Sequence, residues 1–472
     1  MKILEVIHDF LPRHTAGSEV YTYKLSRELT TKGHEVSLFF TEAERGTPQY
    51  TLRKGAYDGL AYFEAIVNRS YSGFEETYDN SSMEQLFTEV LEETRPDIIH
   101  LQHLINHSMG YIDIARERSI PVVFTLHDYW LTCPLGGQRI RPNLTICHDI
   151  DPSLCSRCVS RYSKNSFRLK RLFEKVSGRL RAPSGKASPG GGIAAKSFLK
   201  FNGVFDVMAA KKLVSSIKQR QRRILEASRD VDLFIAPSHF LKDRLVEFGI
   251  PAEKILYSDY GFDTAVFSGK KKKTGRGKKL RFGYTGSLVP HKGVHVLVEA
   301  FRGIDKAKAE LKIYGNLTWF PDYVRQLRES AGKSGTRFMG AFDNRDVPEV
   351  LSGIDVLVVP SIWFENSPLT IHEAYISGTP VIVSDLGGMA ELVEDGVSGF
   401  VFETGNAHAL REKIEMIIND GSLLARLRKG LPGVKTIKED ADDMERIFKG
   451  LIHGKSPAPE AMSRGLRWPS PI

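Results

Sequence analysis

The sequence predicts an α/β protein built from two doubly wound, Rossmann-like parallel-sheet domains. Three observations carry this. Residues 2–7, KILEVI, read as a buried strand and lead through a Gly-containing loop and a helical pattern into a second strand, HEVSLFF. That is a βαβ start. From Leu280 onward short apolar strands alternate with helical segments a second time. The chain has 472 residues, enough for two large domains or three of about 150 residues each.

The elements follow in order. The first helix is expected from Glu19 to Lys32, with Gly33 as its stop. Two further strands, 96–100 and 121–127, each end in histidine. Ligands bind beyond the carboxyl ends of parallel strands, so His127, His100 and His103 are candidates for a site at one sheet edge. In the second unit RFGYTGSL is a strand and turn, GVHVLVEAF a helix, and AELKIYGN and TRFMGAF strands. VPEVLSGI is a helix, DVLVVPS a strand, SPLTIHEAYISG a helix and TPVIVSD a strand. The expected organisation is an N-terminal domain over 1–158, a basic insertion over 159–225, and the end of the N-terminal domain over 226–268. A basic linker over 269–279 leads to the C-terminal domain, 280–435. A helix over 436–454 is expected to cross back to the N-terminal domain, and a Pro-rich tail, 455–472, to be disordered.

Composition excludes several classes. At 41% hydrophobic and 26% charged residues the chain reads as globular rather than disordered or collagenous. The N-terminal apolar run is broken by His8 and Asp9 and does not read as a signal peptide. No run of 18 apolar residues suggests a spanning helix. A reducing, cytoplasmic setting is therefore expected.

The net charge of +9 is not evenly spread. Residues 161–223 hold 17 Lys/Arg against 2 acidic residues, and 269–279 hold 7 Lys/Arg and no acid, leaving a net of −13 elsewhere. No nucleic-acid motif accompanies this charge, so nucleic acid is not an expected partner. The insertion instead suggests a patch facing an anionic membrane, making the protein peripheral at its inner face. Within it Phe198, Phe201, Phe205 and Met208 recur at helical spacing, which suits a helix packed on its own domain or lying on a membrane. The run at 269–279 reads as a solvated hinge or an anionic-surface contact.

The segment WFENSPLTIHEA places Glu365 before a helix and Glu373 inside it. Pro368 suits the first turn, with Asn366 or Ser367 as cap. The unpaired N–H groups at such a helix start, near Leu369, suit an anion. The same residues also fit a capped helix with two surface glutamates.

This segment resembles the E-x7-E signature of retaining glycosyltransferases of family GT4, which have the two-domain GT-B fold. TGSLVPHKG (285–293) resembles that family's diphosphate loop, with Gly286 and Ser287 in the turn and Lys292 at the matching position. GTPVIVSDLGGMAELVEDGVSGFVF (378–402) resembles the stretch after the E-x7-E helix, and AGSE (16–19), with Gly17 and Ser18, the Gly-rich acceptor-side loop. The resemblance covers about 1–135 and 230–450 and implies two Rossmann-like domains facing a cleft.

It also implies a nucleotide-diphosphate sugar as donor, with Lys292 on the diphosphate, Glu373 on the ribose and Glu365 beneath the sugar. His127 would touch the sugar. The loops Tyr314–Gly315 and Gly340–Phe342 would lie near the base. The acceptor would be a glycan or lipid-linked sugar in cell-surface polysaccharide or glycolipid synthesis. No cofactor is implied for catalysis, and no metal ion. Many relatives carry Arg where this chain has Ser287, which leaves the diphosphate less compensated or served by another Arg. A GT-B epimerase or phosphorylase and a non-catalytic GT-B binding subunit are the alternatives.

All four cysteines, Cys133, Cys147, Cys155 and Cys158, fall within 26 residues. The pair Cys155-x2-Cys158 has metal-knuckle spacing, and four thiolates suit a structural zinc ion. The other intervals fit no standard finger, and disulfides or unlinked thiols are the alternatives.

Overall fold

The computed structural model describes residues 1–69, 71–141, 143–160, 213–269, 279–455 and 465–467. The expected helix around Phe198–Met208, most of the basic insertion, the linker run and most of the tail lie outside the described residues.

Two sheets form the frame. The first has eight strands: β1 (Lys2–Ile7), β2 (Glu35–Glu42), β3 (Leu52–Tyr57), β4 (Leu60–Ile66), β5 (Ile98–Leu101), β6 (Val122–Thr125), β7 (Leu233–Ala236) and β8 (Ile255–Tyr257). Their order is β3-β4-β2-β1-β5-β6-β7-β8. Only the edge pair β3–β4 is antiparallel. The second sheet has six strands, β9 (Leu280–Thr285), β10 (Ala309–Tyr314), β11 (Thr336–Gly340), β12 (Val356–Val359), β13 (Val381–Ser384) and β14 (Gly399–Phe402), ordered β11-β10-β9-β12-β13-β14. All its pairings are parallel. Inner strands such as β6, β7, β12 and β13 are near-continuous apolar runs because helices cover both faces.

Each sheet reverses its order at its first strand. In the first, β1 lies between β2 and β5; in the second, β9 lies between β10 and β12. The crevice beyond the carboxyl ends at such a reversal is where doubly wound sheets take ligands. Beyond β1 come His8 and Asp9, and beyond β5 come Gln102 and His103. Beyond β9 come Gly286 and Ser287, and beyond β12 the segment to Glu365.

The core joins the domains. One apolar cluster runs from Ile3, Leu25 and Val36 through Ile371 and Val383 to Ile447 and Phe448. The C-terminal helix Ile437–Ile452 makes this bridge and packs on the first helix, Gly17–Thr31. Its entry is fixed by a capping box between Thr436 and Glu439. At the contact Lys435 is buried between Asp440 (2.6 Å) and Asp443 (3.0 Å). Tyr21 Oη donates to Asp440 at 2.8 Å.

Three expectations change. The first helix begins at Gly17, not Glu19, which buries Glu19 at its first turn. The helix Leu369–Ile376 starts after Pro368 with no side-chain cap. Asn366 and Ser367 are turned to the other domain instead, as described below. Arg220 and Arg223, at the end of the basic insertion, are not available to a membrane. They lie on a helix whose described part is 213–228. Arg220 is buried, and Arg223 pairs with Asp79 and Asp113.

Candidate active site

Glu365 is 7% exposed. Its Oε1 accepts from Lys292 Nζ (2.7 Å), Ser361 Oγ (2.7 Å) and Trp363 Nε1 (2.8 Å). Burial pushes this carboxyl toward its neutral form. The Lys292 charge and the three hydrogen bonds outweigh that and hold it below its ordinary value. Lys292 also sits 5.0 Å from the Trp363 ring centroid, a cation–π contact.

Glycine makes this approach feasible. Gly293, next to Lys292, has φ +69°, and a Cβ there would lie 1.8 Å from the Pro360 carbonyl oxygen. The loops after β9 and β12 therefore touch backbone to backbone. Behind Glu365, a Cβ on Gly388 would lie 2.0 Å from the Asn366 carbonyl oxygen.

Asn366 and Ser367 tie the domains together. Asn366 Nδ2 donates to the Leu126 carbonyl at 3.1 Å, and its Oδ1 accepts from Ser238 Oγ at 2.6 Å. Ser367 Oγ donates to Asp259 at 2.7 Å, and Asp259 also receives His372 Nε2 at 2.7 Å. Burial opposes charge on His372, but the Asp259 carboxylate raises its pKa overall. The uncapped helix start beside them keeps backbone donors that a capping side chain would have taken.

Glu373 is half-buried on the same helix. Burial pushes its carboxyl up to about 7, against the opposing pull of Lys24 and His372. Lys24 belongs to the first helix, so Glu373 faces the N-terminal domain. Gly17 lies close against the start of this helix, since a Cβ on it would lie 3.2 Å from Leu369 Cδ1. Ser18 donates to Glu19 at 3.0 Å. Gly286 and Ser287 form the turn after β9, where Tyr284 Oη donates to the Ser287 carbonyl at 2.8 Å.

His127 stands on the opposite wall. A pocket of about 90 Å³ is lined by His127, Asp128 and Tyr129 from one domain and by Trp363–Ser367 from the other. Both ring nitrogens of His127 are engaged: Nε2 with Gln102 Oε1 (2.7 Å) and Nδ1 with Tyr260 Oη (2.8 Å). Gln102 Nε2 donates to Glu5 at 2.9 Å, which leaves its Oε1 toward the histidine. His127 therefore carries its proton on Nε2 and accepts from Tyr260. Burial and the neighbouring His103 and His100 keep it neutral.

The other two candidate histidines separate. His100 is wholly buried between Glu5 (3.1 Å) and Thr125 (2.8 Å), under Phe448, and is a core residue rather than a cleft residue. His103 faces Asp128 at 3.1 Å and lines a neighbouring void with His127. Sequence reasoning missed Ser361, Trp363, Tyr260, Gln102 and Asp259. It also missed His8, Asp9 and Glu19, which meet beyond β1 with His8 Nε2 3.4 Å from Glu19. The place of His8 and Asp9 at the end of the first strand was the available signal.

The profile described as "Glycosyl transferases group 1" matches residues 267–431, and "Glycosyltransferase Family 4" matches 15–175. The chain is 27% identical over 265 residues to a glycogen synthase of Mycobacterium tuberculosis, covering 55% of this chain and 61% of that one. It is 27% identical over 190 residues to the amylovoran biosynthesis glycosyltransferase AmsK of Erwinia amylovora, 38% of this chain and 46% of the relative. The matched region thus spans about three fifths of the glycogen synthase and less than half of AmsK. Among solved structures, Anabaena HepE in complex with UDP and glucose matches with TM-score 0.57 and 16% identity, over 96% of this chain and 99% of that one. Sucrose-phosphate synthase from Thermosynechococcus elongatus matches with TM-score 0.63 and 15% identity, over the same shares. These likenesses show the two-domain GT-B fold.

Proposed function

The chain belongs to the group 1, family 4 glycosyltransferases, and from that premise we propose that it moves a sugar, with retained anomeric configuration, from a nucleotide-diphosphate sugar to a glycan or lipid-linked acceptor. The observation that carries this reading is the buried Glu365–Lys292 pair at the sheet reversal, with His127 across the same pocket.

In this reading the diphosphate lies against Lys292, the turn at Gly286–Ser287 and the uncapped helix start at Pro368–Leu369. Glu373 accepts from the ribose hydroxyls. Glu365 lies under the sugar and offsets the positive charge of an oxocarbenium-like transition state. The bond from the anomeric carbon to the diphosphate oxygen breaks, and the bond to the acceptor oxygen forms on the same face. The acceptor proton passes to the departing phosphate oxygen. The protein's share is positioning and electrostatics, and the lysine and helix start serve the charge that a divalent metal serves in other transferases. His127 holds a sugar hydroxyl by exchanging its Gln102 or Tyr260 bond for it. Gly17 and Ser18 border the acceptor.

The acceptor's setting is a membrane face. No helix among the described residues is long and apolar enough to cross a membrane. The net charge of 161–223 supports peripheral docking on anionic lipid at the cytoplasmic side, less the two arginines turned inward.

The test is a panel of UDP-, GDP- and ADP-sugars, read by thermal shift and by release of nucleotide diphosphate. UDP-glucose comes first because HepE was also solved with it. One nucleotide class should stabilise the protein and be slowly hydrolysed. Silence across the whole panel contradicts the reading.

A further inference from the structure

The cysteine module carries more than the cleft chemistry uses. Cys133 opens a turn: its N–H donates to the Tyr129 carbonyl at 2.7 Å, and Gly137 N donates to the Cys133 carbonyl at 3.4 Å. Residues 139–147 return as a hairpin, with Ile140 bridged to Ile146 and Cys147 N donating to the Arg139 carbonyl at 2.9 Å. That brings Cys147 back beside the Cys133 turn. Cys155 and Cys158 lie on the helix Pro152–Ser160. Cys155 is buried and packs with Ile217, on the helix that carries Arg220. None of the four is joined in a disulfide.

A second observation points to a ligand. Arg220 is 2% exposed. Its guanidinium donates to the carbonyls of Trp130 (2.5 Å) and Leu131 (3.2 Å) and lies 4.8 Å from the Trp130 ring. Among the described residues no carboxylate is within ion-pair distance of it. Leu131, whose carbonyl it bonds, lies two residues before Cys133; Ile217, three residues before Arg220 on the same helix, packs on Cys155; and the Tyr78 ring is 5.9 Å away. A buried cation without a counter-ion is costly. Neutral thiols and a tyrosine do not offset it. Four thiolates around a zinc ion carry a net negative charge and would.

We propose that Cys133, Cys147, Cys155 and Cys158 are the four ligands of a structural zinc ion, with Arg220 as its buried counter-ion. No three of these sulfurs lie within 4.8 Å of one another. Zn–S bonds of about 2.3 Å would draw the hairpin and the helix inward on metal capture. Four thiolates close the shell, so the ion would be structural. Its place gives it a consequence for the cleft. The same module sets the His148 ring 5.5 Å from Phe364 and the Arg139 guanidinium 6.0 Å from it, one residue from Glu365.

The test is metal content of the full chain, purified under reducing conditions. About one zinc per chain is expected, released when an organomercurial blocks the thiols, with an X-ray absorption shell of sulfur neighbours. Cys155→Ser and Cys158→Ser should each lower the bound zinc severalfold, and Arg220→Met should speed zinc loss to a chelator. Reduced wild-type protein that neither contains zinc nor takes it up on titration overturns the proposal. So does zinc whose amount is unchanged in both cysteine variants. The wild-type measurement stands even if a variant fails to fold.

Discussion

Lys292 Nζ and Glu365 Oε1 stand 2.7 Å apart, across 73 residues of chain, where the loops after β9 and β12 meet. The pair joins the two residues that the reaction would use most. It places a cation for a diphosphate next to a carboxylate for the sugar, and the cation helps to hold that carboxylate ionised.

Replacing Lys292 with Met should reverse the pH dependence that Glu365 contributes. In the wild type the carboxyl is held below its ordinary value of 4.5. Its pairing therefore stabilises the fold above that pH, and the contribution is lost as the pH falls through the lowered value. In Lys292→Met burial is opposed only by the Ser361 and Trp363 hydrogen bonds, so the carboxyl should rise and stability should fall as the pH rises above 4.5. Urea midpoints between pH 4 and 8 check this. A cost of about 1–3 kcal/mol at pH 7 is expected, below that of a fully buried pair because Lys292 is partly exposed.

Glu373 should make nucleotide binding depend on pH near neutrality. Its carboxyl is pushed up to about 7 by burial, and a ribose diol needs the ionised form as acceptor. Affinity for the nucleotide should rise about tenfold from pH 6 to 8, following the ionised fraction. Glu373→Gln should flatten the profile. Isothermal titration at several pH values reads both.

His127 and the nucleotide site lie on different domains, so their effects should separate. His127→Ala should lower kcat by about 10–100-fold while leaving nucleotide affinity within about twofold. Loss of nucleotide affinity instead would move His127 out of the sugar contact and into the structural network of Gln102 and Tyr260.

Lys435 should be a stability residue. It is 2% exposed and satisfies two buried carboxylates, Asp440 and Asp443. Lys435→Met leaves Asp440 without a cation and Asp443 with Arg446 alone, and should cost about 3–5 kcal/mol. The C-terminal helix should loosen first, read as faster amide exchange in 437–452.

The fold was legible because parallel, covered strands are apolar runs, and their alternation with helices is visible in one dimension. The site was legible where function sits on local motifs: Lys292 in its loop, and Glu365 and Glu373 around one helix. It was not legible where a residue's role is set by distant partners. Asn366 and Ser367 look like caps, but Leu126, Ser238 and Asp259 claim their side chains. His100 and His127 both read in the sequence as strand ends, yet Phe448 covers one, inside β5, while the cleft opens beside the other, two residues beyond β6. Arg220 counts as surface charge in composition, and only packing shows it buried.

The central claim is that Glu365 serves the transferred sugar and not the nucleotide. The measurement is turnover of the preferred nucleotide sugar by wild type and Glu365→Gln, with nucleotide affinity taken in parallel. The account predicts a loss of about 10²–10³ in kcat, with affinity within about threefold and the fold retained. Near wild-type turnover in Glu365→Gln contradicts it.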